Sequence, residues 1–272
     1  MGGDRGGGVK IFVMADPGGT HGGDLDRMFQ LIEAAKVCGA DCIKLQWTSS
    51  PEWLAERRRA EEYVDAYRAI AFPREWLNNV AFKCRLVGIE LAVTCYLPED
   101  IHVVAPYVRR FKIASFEARD HYFRLCHREF RKPLIVSTGG LAAEEVGAIR
   151  ASRDWLGGDS LLYCISAYPA PAEEMNLGAM IGNYGLGYAG LSDHSMSPVV
   201  AAMAVARGAE IIEAHLRLDN CDPTNADYPH SMPPVRFSEY VATIRLAERI
   251  MGEGPKRVMP SEEPWAKYAV RP

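Results

Sequence analysis

The sequence predicts a single α/β domain folded as a (β/α)8 barrel, the TIM-barrel architecture, and three observations support this prediction. The chain has 272 residues, close to the roughly 250 residues that such a barrel needs as one domain. Eight short runs rich in Ile, Val and Leu alternate with longer segments, most of which have helical periodicity. Most of these runs are continuously apolar, which is typical of strands buried on both faces of a parallel sheet.

The predicted strands follow the apolar runs in chain order. They are Val9–Met14, Ala40–Gln46, Glu90–Thr94, Arg110–Ala114, Pro133–Thr138, Leu161–Ser166, Gly187–Leu191 and Glu210–His215. Short apolar runs of this length are consistent with strands in the core of a parallel sheet. We therefore expect eight strands, one for each repeat of the barrel.

Helical periodicity predicts helices over Asp24–Cys38, Arg74–Val87, Pro198–Arg207 and Phe237–Met251. In the first of these, apolar residues recur every three to four positions, as they do on one face of a helix. A glycine follows each segment, and glycine is common directly after a helix. No long linker interrupts the alternation. We predict one catalytic barrel over residues 9–258, a flexible N-terminus at 1–8 and a C-terminal tail at 259–272.

The second gap, Trp47–Ile70, is long for a connection in a barrel and carries the charged run Glu56–Glu62. We interpret this run as a solvated helix or loop face that could act as a lid.

Composition excludes several classes of protein. Apolar residues make up 48% and charged residues 24%, so neither disorder nor a fibrous repeat is expected. A net charge of −4 provides no broad positive field for nucleic acid or an anionic membrane. The segment Met1–Gly8 has no apolar core, so no signal peptide is expected, and no apolar run approaches the roughly 18 residues that span a bilayer. The seven cysteines form no C-x-x-C pair, which predicts reduced thiols in a cytoplasmic protein.

Functional sites of such barrels lie at the C-terminal ends of the strands. Many polar side chains follow the predicted strands at this end: Asp16, His21, Lys44, Gln46, Thr94, Lys112, Ser115, Glu117, Ser137, Thr138, Ser166, Tyr168, Ser192, Asp193, His194, Glu213 and His215. We expect them to converge on one face of the barrel.

Two histidines in this set suggest a metal site. His194 and His215 end adjacent predicted strands and can meet over one cation. Imidazoles with carboxylate neighbours suit Mn²⁺, Fe²⁺ or Zn²⁺. The alternative is that each histidine is hydrogen-bonded in the core.

Two lysines in this set suggest an anion site. Lys44 and Lys112, with the hydroxyls of Thr94, Ser115 and Ser192, could form a pocket for phosphate or carboxylate. The alternative is that the lysines extend to solvent or pair with nearby carboxylates, Asp16 or Glu117. The residues by themselves indicate a metal-assisted barrel enzyme that acts on a small anionic substrate.

Seven motifs occur in an order that resembles the sialic acid synthase family, the N-acetylneuraminate synthase type. They are ADPGGTHGGD (Ala15–Asp24), KLQ (Lys44–Gln46), KIASFE (Lys112–Glu117), STGG (Ser137–Gly140), ISAYPAP (Ile165–Pro171), LSDHS (Leu191–Ser195) and EAHLRLD (Glu213–Asp219). The resemblance covers roughly residues 9–260, nearly the whole chain.

The resemblance implies an activity. The family condenses phosphoenolpyruvate with an aldose, typically N-acetylmannosamine, to give a 2-keto-3-deoxy sugar acid and phosphate. It uses a divalent metal, Mn²⁺ above all, with Mg²⁺, Co²⁺ or Zn²⁺ as alternatives. A homodimer is the expected assembly. Two other hypotheses stay open, a barrel with the same site that runs aldolase-type or phosphate-ester chemistry, and a non-catalytic ligand-binding barrel.

The resemblance also implies roles for individual residues. The implied catalytic residues are Asp16, Glu117 and Lys112. The implied metal ligands are His194 and His215. The implied substrate contacts are Lys44, Gln46, Thr94, Ser115, Ser166, Tyr168, Ser192 and Asp227, the last of these in the segment ADYPHS.

The chain departs from the family pattern at several places. Asp16 stands where the family has Glu, and Ser166 stands where it often has Asn. The family's N-H-N-G stretch is replaced by residues Thr20–Gly23. The chain ends at Pro272, before the small antifreeze-like domain with which family members usually continue. We therefore expect an acceptor other than ordinary N-acetylmannosamine.

Overall fold

The structure is a computed structural model that describes residues 10–180, 186–252 and 255–269. The predicted flexible segment 1–8 lies outside the described residues. Eight strands are present: β1 (Phe12–Asp16), β2 (Cys42–Trp47), β3 (Glu90–Cys95), β4 (Phe111–Ile113), β5 (Leu134–Ser137), β6 (Ser160–Cys164), β7 (Gly190–Asp193) and β8 (Ile211–His215). Each overlaps one predicted strand, and the differences are shifts of a few residues at the ends.

The strands form one sheet in the order β3-β2-β1-β8-β7-β6-β5-β4. Every ladder is parallel, and β1 pairs with β8 in a register that sets Asp16 opposite His215. Strands β3 and β4, at the two ends of this order, lie against each other, so the barrel is nearly closed. The predicted (β/α)8 fold is confirmed.

The helices of the described chain cover the outside of the sheet or cross its ends. They are α1 (Leu25–Val37), α2 (Pro51–Arg58), α3 (Val64–Ile70), α4 (Trp76–Val87), α5 (Pro98–Val104), α6 (His121–Arg128), α7 (Ala143–Ala151), α8 (Pro198–Ala206), α9 (Pro234–Met251) and α10 (Glu263–Ala266). The long second gap therefore holds two helices, α2 and α3. Helix α10 lies in the segment predicted as a C-terminal tail.

The ends of helix α1 show why the sequence folds locally as it does. The Asp24 side chain accepts a hydrogen bond from the backbone N–H of Arg27, which caps the first turn. At the other end, Gly39 has φ +89, a left-handed conformation that glycine adopts without a steric penalty. The apolar face between these residues, including Leu31 and Ile32, is fully buried in the main core.

The strands are buried on both faces, as predicted, and the two faces have different roles. Residues such as Val13, Ile43 and Val136 pack outward against the helices in the main core. Their neighbours point inward and form a second, smaller cluster of Met14, Cys42, Ala92, Ile135, Leu162 and Ile211. Because side chains alternate along a strand, the inward residues two positions further on lie at the C-terminal mouth of the barrel.

No helix among the described residues is long and apolar enough to cross a bilayer. The seven cysteines are all free thiols, six of them buried.

Candidate active site

A cavity of about 280 Å³ opens at the C-terminal ends of the strands. The floor of the cavity consists of inward-pointing residues that come two positions after members of the inner cluster on the same strand. Asp16 comes two positions after Met14, and Lys44 comes two positions after Cys42. The predicted site residues that line it are Asp16, Lys44, Gln46, Lys112, Ser115, Tyr168, Ser192, His194, His215 and Asp227. The structure therefore brings most of the predicted set together at the mouth of the barrel, where the fold class places functional sites.

The floor of the cavity is a network of buried ion pairs. Lys44 Nζ lies 2.5 Å from Asp16 Oδ2 and 3.6 Å from Glu213 Oε1. Lys112 Nζ lies 3.4 Å from the same Glu213 oxygen and donates a 2.7 Å hydrogen bond to Ser137 Oγ. Ser192 Oγ donates to Glu213 at 2.9 Å. Lys44 therefore pairs with Asp16, which was the alternative left open for the lysines.

These pairs shift the proton affinities of their members. Burial would raise the pKa of Asp16, but Lys44 and His215 outweigh burial and hold that pKa well below its usual range. Burial would lower the pKa of Lys44, but Asp16 and Glu213 raise it. Burial does lower the pKa of Lys112, against the opposing effect of Glu213. Asp16 is thus a carboxylate near neutral pH, and Lys112 is the cation that loses its proton more readily than an ordinary lysine.

One group in the described chain could hold a metal ion with three side chains. His215, Asp227 and His230 each offer a donor atom, and these atoms all lie within 4.8 Å of one another. His230 Nε2 lies 3.1 Å from Asp227 Oδ1. The backbone N–H of Gly19 donates to the other oxygen of Asp227 at 2.6 Å, which fixes the carboxylate. Two imidazoles and a carboxylate suit a divalent transition-metal ion.

The environment of the two imidazoles also fits a metal. The Nδ1 atoms of both His215 and His230 are buried and have no hydrogen-bond partner among the described residues. Burial lowers the pKa of His215 to about 4, so this ring is neutral at neutral pH, the form that binds metals. A glycine allows the close approach of Asp227. Gly18 has φ +51, and a Cβ atom there would lie 2.4 Å from Asp227 Oδ2.

His194, the other predicted ligand, lies beside this group. Its ring centroid is 5.4 Å from that of His215 and 6.5 Å from that of His230. His194 Nδ1 is 2.8 Å from the carbonyl oxygen of Ile165, so this nitrogen carries the proton that it donates there. The three-residue group thus retains the predicted His215 and adds Asp227, expected to contact the sugar, and His230. The pairing of His194 with His215 stays a prediction.

Three predicted site residues are absent from the lining of this cavity. Thr94 is fully buried, and its hydroxyl has no hydrogen-bond partner in the part of the chain that the structure describes. Ser166 and Glu117 line a second cavity of about 900 Å³ instead. Glu117 Oε1 accepts hydrogen bonds from Arg58 at 2.9 and 2.5 Å, and burial raises the pKa of Glu117 although Arg58 opposes the shift. The carboxylate of Glu117 therefore faces a different space from Lys44 and Lys112.

Arg58 differs from the prediction of a solvated face for its segment. The run Glu56–Glu62 is largely exposed, as predicted, but Arg58 turns inward and lines both cavities. Its guanidinium lies over the rings of Tyr67, Tyr96 and Phe116 at 4.8–5.3 Å from their centroids. Ion pairing with Glu117 and ring stacking together explain why a charged residue turns inward.

The predicted site set also omitted other residues that line the cavity. Glu213 and Ser137 appeared only as polar strand ends, and Cys164 follows the inner residue Leu162 on β6. His230 stands three positions after Asp227 in a short 3-10 helix, Tyr228–His230. Glu213 lies two residues before His215 on the same strand, and this spacing was a signal that it belongs to the site. The proximity of His230 to Asp227 in the sequence was a weaker signal of the same kind.

Comparison with known proteins places the chain among related sequences. The model of the NeuB family matches residues 31–256. The pseudaminic acid synthase of Campylobacter jejuni is 34% identical, over 90% of this chain and 76% of that protein. The N,N'-diacetyllegionaminic acid synthase of Legionella pneumophila is 30% identical, over 96% of this chain and 78% of that protein.

A solved structure agrees with these sequence matches. It is the N-acetylneuraminic acid (sialic acid) synthetase of Leptospira borgpetersenii in complex with citrate, with a TM-score of 0.84 and 25% identity. The match covers 95% of this chain and 91% of that one. The similarity therefore extends over the whole barrel.

Proposed function

This chain belongs to the NeuB family, and from that membership we propose that it is a phosphoenolpyruvate-dependent synthase. It condenses phosphoenolpyruvate with an aldose or related aldehyde and forms a carbon–carbon bond, giving a 2-keto-3-deoxy sugar acid and phosphate. The named relatives are synthases of pseudaminic and N,N'-diacetyllegionaminic acid. The single observation that supports the proposal best is the juxtaposition, in one cavity, of two buried lysines with the group of His215, Asp227 and His230.

We propose that Lys44 and Lys112 bind the phosphate and carboxylate of phosphoenolpyruvate. Both ammonium groups are almost fully buried, so an anion beside them interacts with little screening by water. The hydroxyls of Ser115 and Ser192 line the same space and can donate to the remaining oxygens. Fixing the anion in this way holds the enol carbon in one orientation, and positioning of this kind supplies much of the rate enhancement.

We propose that His215, Asp227 and His230 hold a divalent cation, Mn²⁺ above all, beside the acceptor. Such an ion polarises an aldehyde carbonyl as a Lewis acid. His194 lines the same cavity, and its ring lies 4.3 Å from that of Tyr168, centroid to centroid. Tyr168 and Gln46 then border the acceptor.

We propose that Asp16 is the general base for the water that adds to the former enol carbon. Its carboxylate can orient that water and accept its proton. Lys44 keeps Asp16 ionised in the free enzyme. When Lys44 turns toward the bound substrate anion, Asp16 loses part of this stabilisation and becomes a stronger base. Glu117, which accepts a hydrogen bond from Arg58, is proposed as an acidic group on the acceptor side.

The test is phosphate release from phosphoenolpyruvate with Mn²⁺ and a panel of aldoses and simple aldehydes, N-acetylmannosamine included. We expect release that depends on both metal and acceptor, and its loss with EDTA. The variant His215→Ala should lose activity by about 100-fold or more, since a metal-ligand position is removed. His121→Ala is the matched control, because His121 is exposed and outside the cavity.

The outcomes separate the hypotheses. Metal-dependent release with one preferred acceptor supports the synthase. No release with any acceptor, in protein that binds Mn²⁺, contradicts it and favours aldolase-type chemistry or ligand binding. We also propose a cytoplasmic location, for which the seven free thiols are the support.

A further inference from the structure

Two segments that are far apart in the sequence meet beside the group of His215, Asp227 and His230, called here the metal group. One is the segment 17–24 after β1, and the other is the segment 216–233 after β8, which carries Asp227 and His230. Both lie beyond the ends of their strands, so the ladder between β1 and β8 does not by itself fix them.

Three residues close a ring of hydrogen bonds where these segments meet. The backbone N–H of Gly19 donates to Asp227 Oδ2 at 2.6 Å, and the backbone N–H of Asp227 donates to Asn225 Oδ1 at 2.9 Å. The Nδ2 atom of Asn225 donates to the carbonyl oxygen of Gly19, also at 2.9 Å, and closes the ring. Each of the three residues both donates and accepts, so none can turn without breaking two hydrogen bonds.

Only an amide side chain suits position 225 in this ring. Oδ1 of Asn225 accepts while Nδ2 donates, which fixes the orientation of the amide group. A carboxylate there would set an oxygen against the carbonyl oxygen of Gly19. Asn225 is also held through its backbone, because its N–H donates to the carbonyl oxygen of Asp222 at 3.0 Å. The amide therefore has a fixed position from which it can orient its two partners.

The ring determines which oxygen of Asp227 faces the metal group. Oδ2 is occupied by the N–H of Gly19, whereas Oδ1 lies 3.1 Å from His230 Nε2. The preceding residue, Gly18, donates its own N–H to Asp16 Oδ1 at 2.9 Å. Two consecutive backbone N–H groups thus hold two carboxylates of the candidate site, so a movement of this segment would disturb both.

There is little free space around the ring. A Cβ atom at Gly19 would lie 3.3 Å from Asp227 Oδ2 and 3.0 Å from the Cβ of Ala69 on α3. The segment after β1 is therefore confined between the carboxylate and α3, and the amide of Asn225 holds its carbonyl oxygen on the side of β8.

We propose that Asn225 is a positioning residue for the metal group and acts through Asp227. It fixes Gly19 and the backbone of Asp227, so that Oδ1 is presented to the ion and Oδ2 is turned away. Asn225 is absent from the lining of the cavity, which distinguishes it from a ligand or a substrate contact. The inference rests on the metal group of the proposed function.

The binding test measures the Kd of Mn²⁺ for the full chain from the EPR signal of free Mn²⁺. We expect Asn225→Ala to weaken Mn²⁺ binding about tenfold, since loss of a group that holds a metal ligand in place has an effect of this size. Asn225→Ser, whose shorter side chain cannot span both partners, should weaken it as well. It also carries the test if Asn225→Ala fails to fold. Asn78→Ala is the matched control, because Asn78 accepts a hydrogen bond from Tyr107 outside the cavity.

A double-mutant cycle shows whether Asn225 acts through Asp227. In an Asp227→Ala background, Asn225→Ala should change the Kd by less than about twofold, because the group that it positions is gone. Two residues that act independently would instead multiply their losses. A merely structural role would lower Tm in the absence of metal without producing this non-additivity.

The catalytic test follows phosphate release against Mn²⁺ concentration. In Asn225→Ala the concentration for half-maximal release should rise about tenfold, as the Kd does, whereas the rate at saturating Mn²⁺ should return to that of the unaltered chain. A fall in the saturated rate with no change in the half-maximal concentration would contradict a role through the metal group.

Failure of this inference can be distinguished from failure of the proposed function. If Asp227→Ala weakens Mn²⁺ binding and Asn225→Ala does not, the inference is wrong and the metal group stands. Losses that multiply in the double variant would also overturn the inference. If Asp227→Ala binds Mn²⁺ as tightly as the unaltered chain, both the metal group and the inference are overturned. If the binding cycle gives the expected result and no acceptor supports phosphate release, the synthase proposal fails and the inference stands.

Discussion

At the scale of single residues, Lys112 joins structure to a measurable pH dependence. The side chain is 2% exposed, and Ser137 and Glu213 are its polar neighbours. Burial lowers the pKa of this ammonium group below its ordinary value of 10.5. The proposed role requires the charged form, so the anion site loses a cation as the pH rises through this lowered pKa.

We expect the affinity for phosphoenolpyruvate to fall on the alkaline side with a midpoint below 10.5. Above the midpoint the loss should approach tenfold per pH unit, because one proton is required. Lys112→Met should bind about 10–100-fold more weakly at pH 7, since a charge-assisted hydrogen bond is removed, and should lack the alkaline limb. Calorimetric titration from about pH 7 to about pH 11, on both sides of the ordinary lysine pKa, measures both effects.

Lys83→Met serves as the control for that titration, because Lys83 pairs with Glu33 outside the cavity. A midpoint at or above 10.5, or the same alkaline limb in Lys112→Met, would show that another group controls anion binding.

Site residues at strand ends could be predicted from the sequence, whereas site residues in connecting segments could not. Asp16, Lys44 and His215 could be predicted because a strand end fixes where each side chain points. His230 and Arg58 could not, because each lies in a segment between barrel elements, and its direction depends on contacts with distant residues. Arg58 is held by Glu117, a partner 59 positions away.

At the scale of secondary-structure elements, the apolar runs predicted the positions of the strands along the chain, and helical periodicity predicted the ends of several helices. The predicted segment Arg74–Val87 corresponds to α4, which ends at Val87 and is capped by Gly88 with φ +71. The prediction for α9 was less accurate at its start, where the helix begins at Pro234 rather than Phe237. Proline suits the first turn of a helix, but the apolar pattern that guided the prediction begins later.

Strand β7 contains a glycine whose role became apparent only in the structure. A Cβ atom at Gly190 would lie 1.9 Å from the backbone oxygen of Ile211 on β8. A backbone atom in a ladder cannot move aside without disturbing the pairing of β7 with β8. The missing side chain therefore permits the close approach of these two strands.

We predict that Gly190→Ala lowers the free energy of unfolding by about 1–3 kcal/mol or more, as expected for overpacking of a tight site. Gly157→Ala is the control, because no atom lies within 4 Å of the added Cβ position. Its effect should stay within about 0.5 kcal/mol. Urea denaturation of both variants is the measurement, and equal midpoints would contradict the argument.

At the scale of the whole molecule, the candidate site connects strands that are distant in the sequence. The lysine network alone joins β1, β2, β4, β5, β7 and β8. Ligands that bind across these strands bind the folded chain and not the unfolded one, so they should stabilise the entire barrel.

We expect Mn²⁺ and phosphoenolpyruvate each to raise Tm by about 5–10 °C at 100 times their Kd, since such saturation contributes about 2.7 kcal/mol per ligand. The variant His230→Ala should lose most of the rise in Tm caused by Mn²⁺ and retain the rise caused by phosphoenolpyruvate alone. Differential scanning calorimetry separates the two contributions. An unchanged Mn²⁺ shift in this variant would remove His230 from the metal group.

The pairing of Lys44 with Asp16 and of Lys112 with Glu213 has a consequence for the end of the reaction cycle. Two lysines without partners would hold inorganic phosphate firmly after the carbon–carbon bond has formed, and departure would then limit turnover. If the lysines bind phosphate as proposed, each has a carboxylate nearby that would compete with the leaving ion. These carboxylates would displace phosphate, and the cavity would return to a neutral resting state without help from solvent ions.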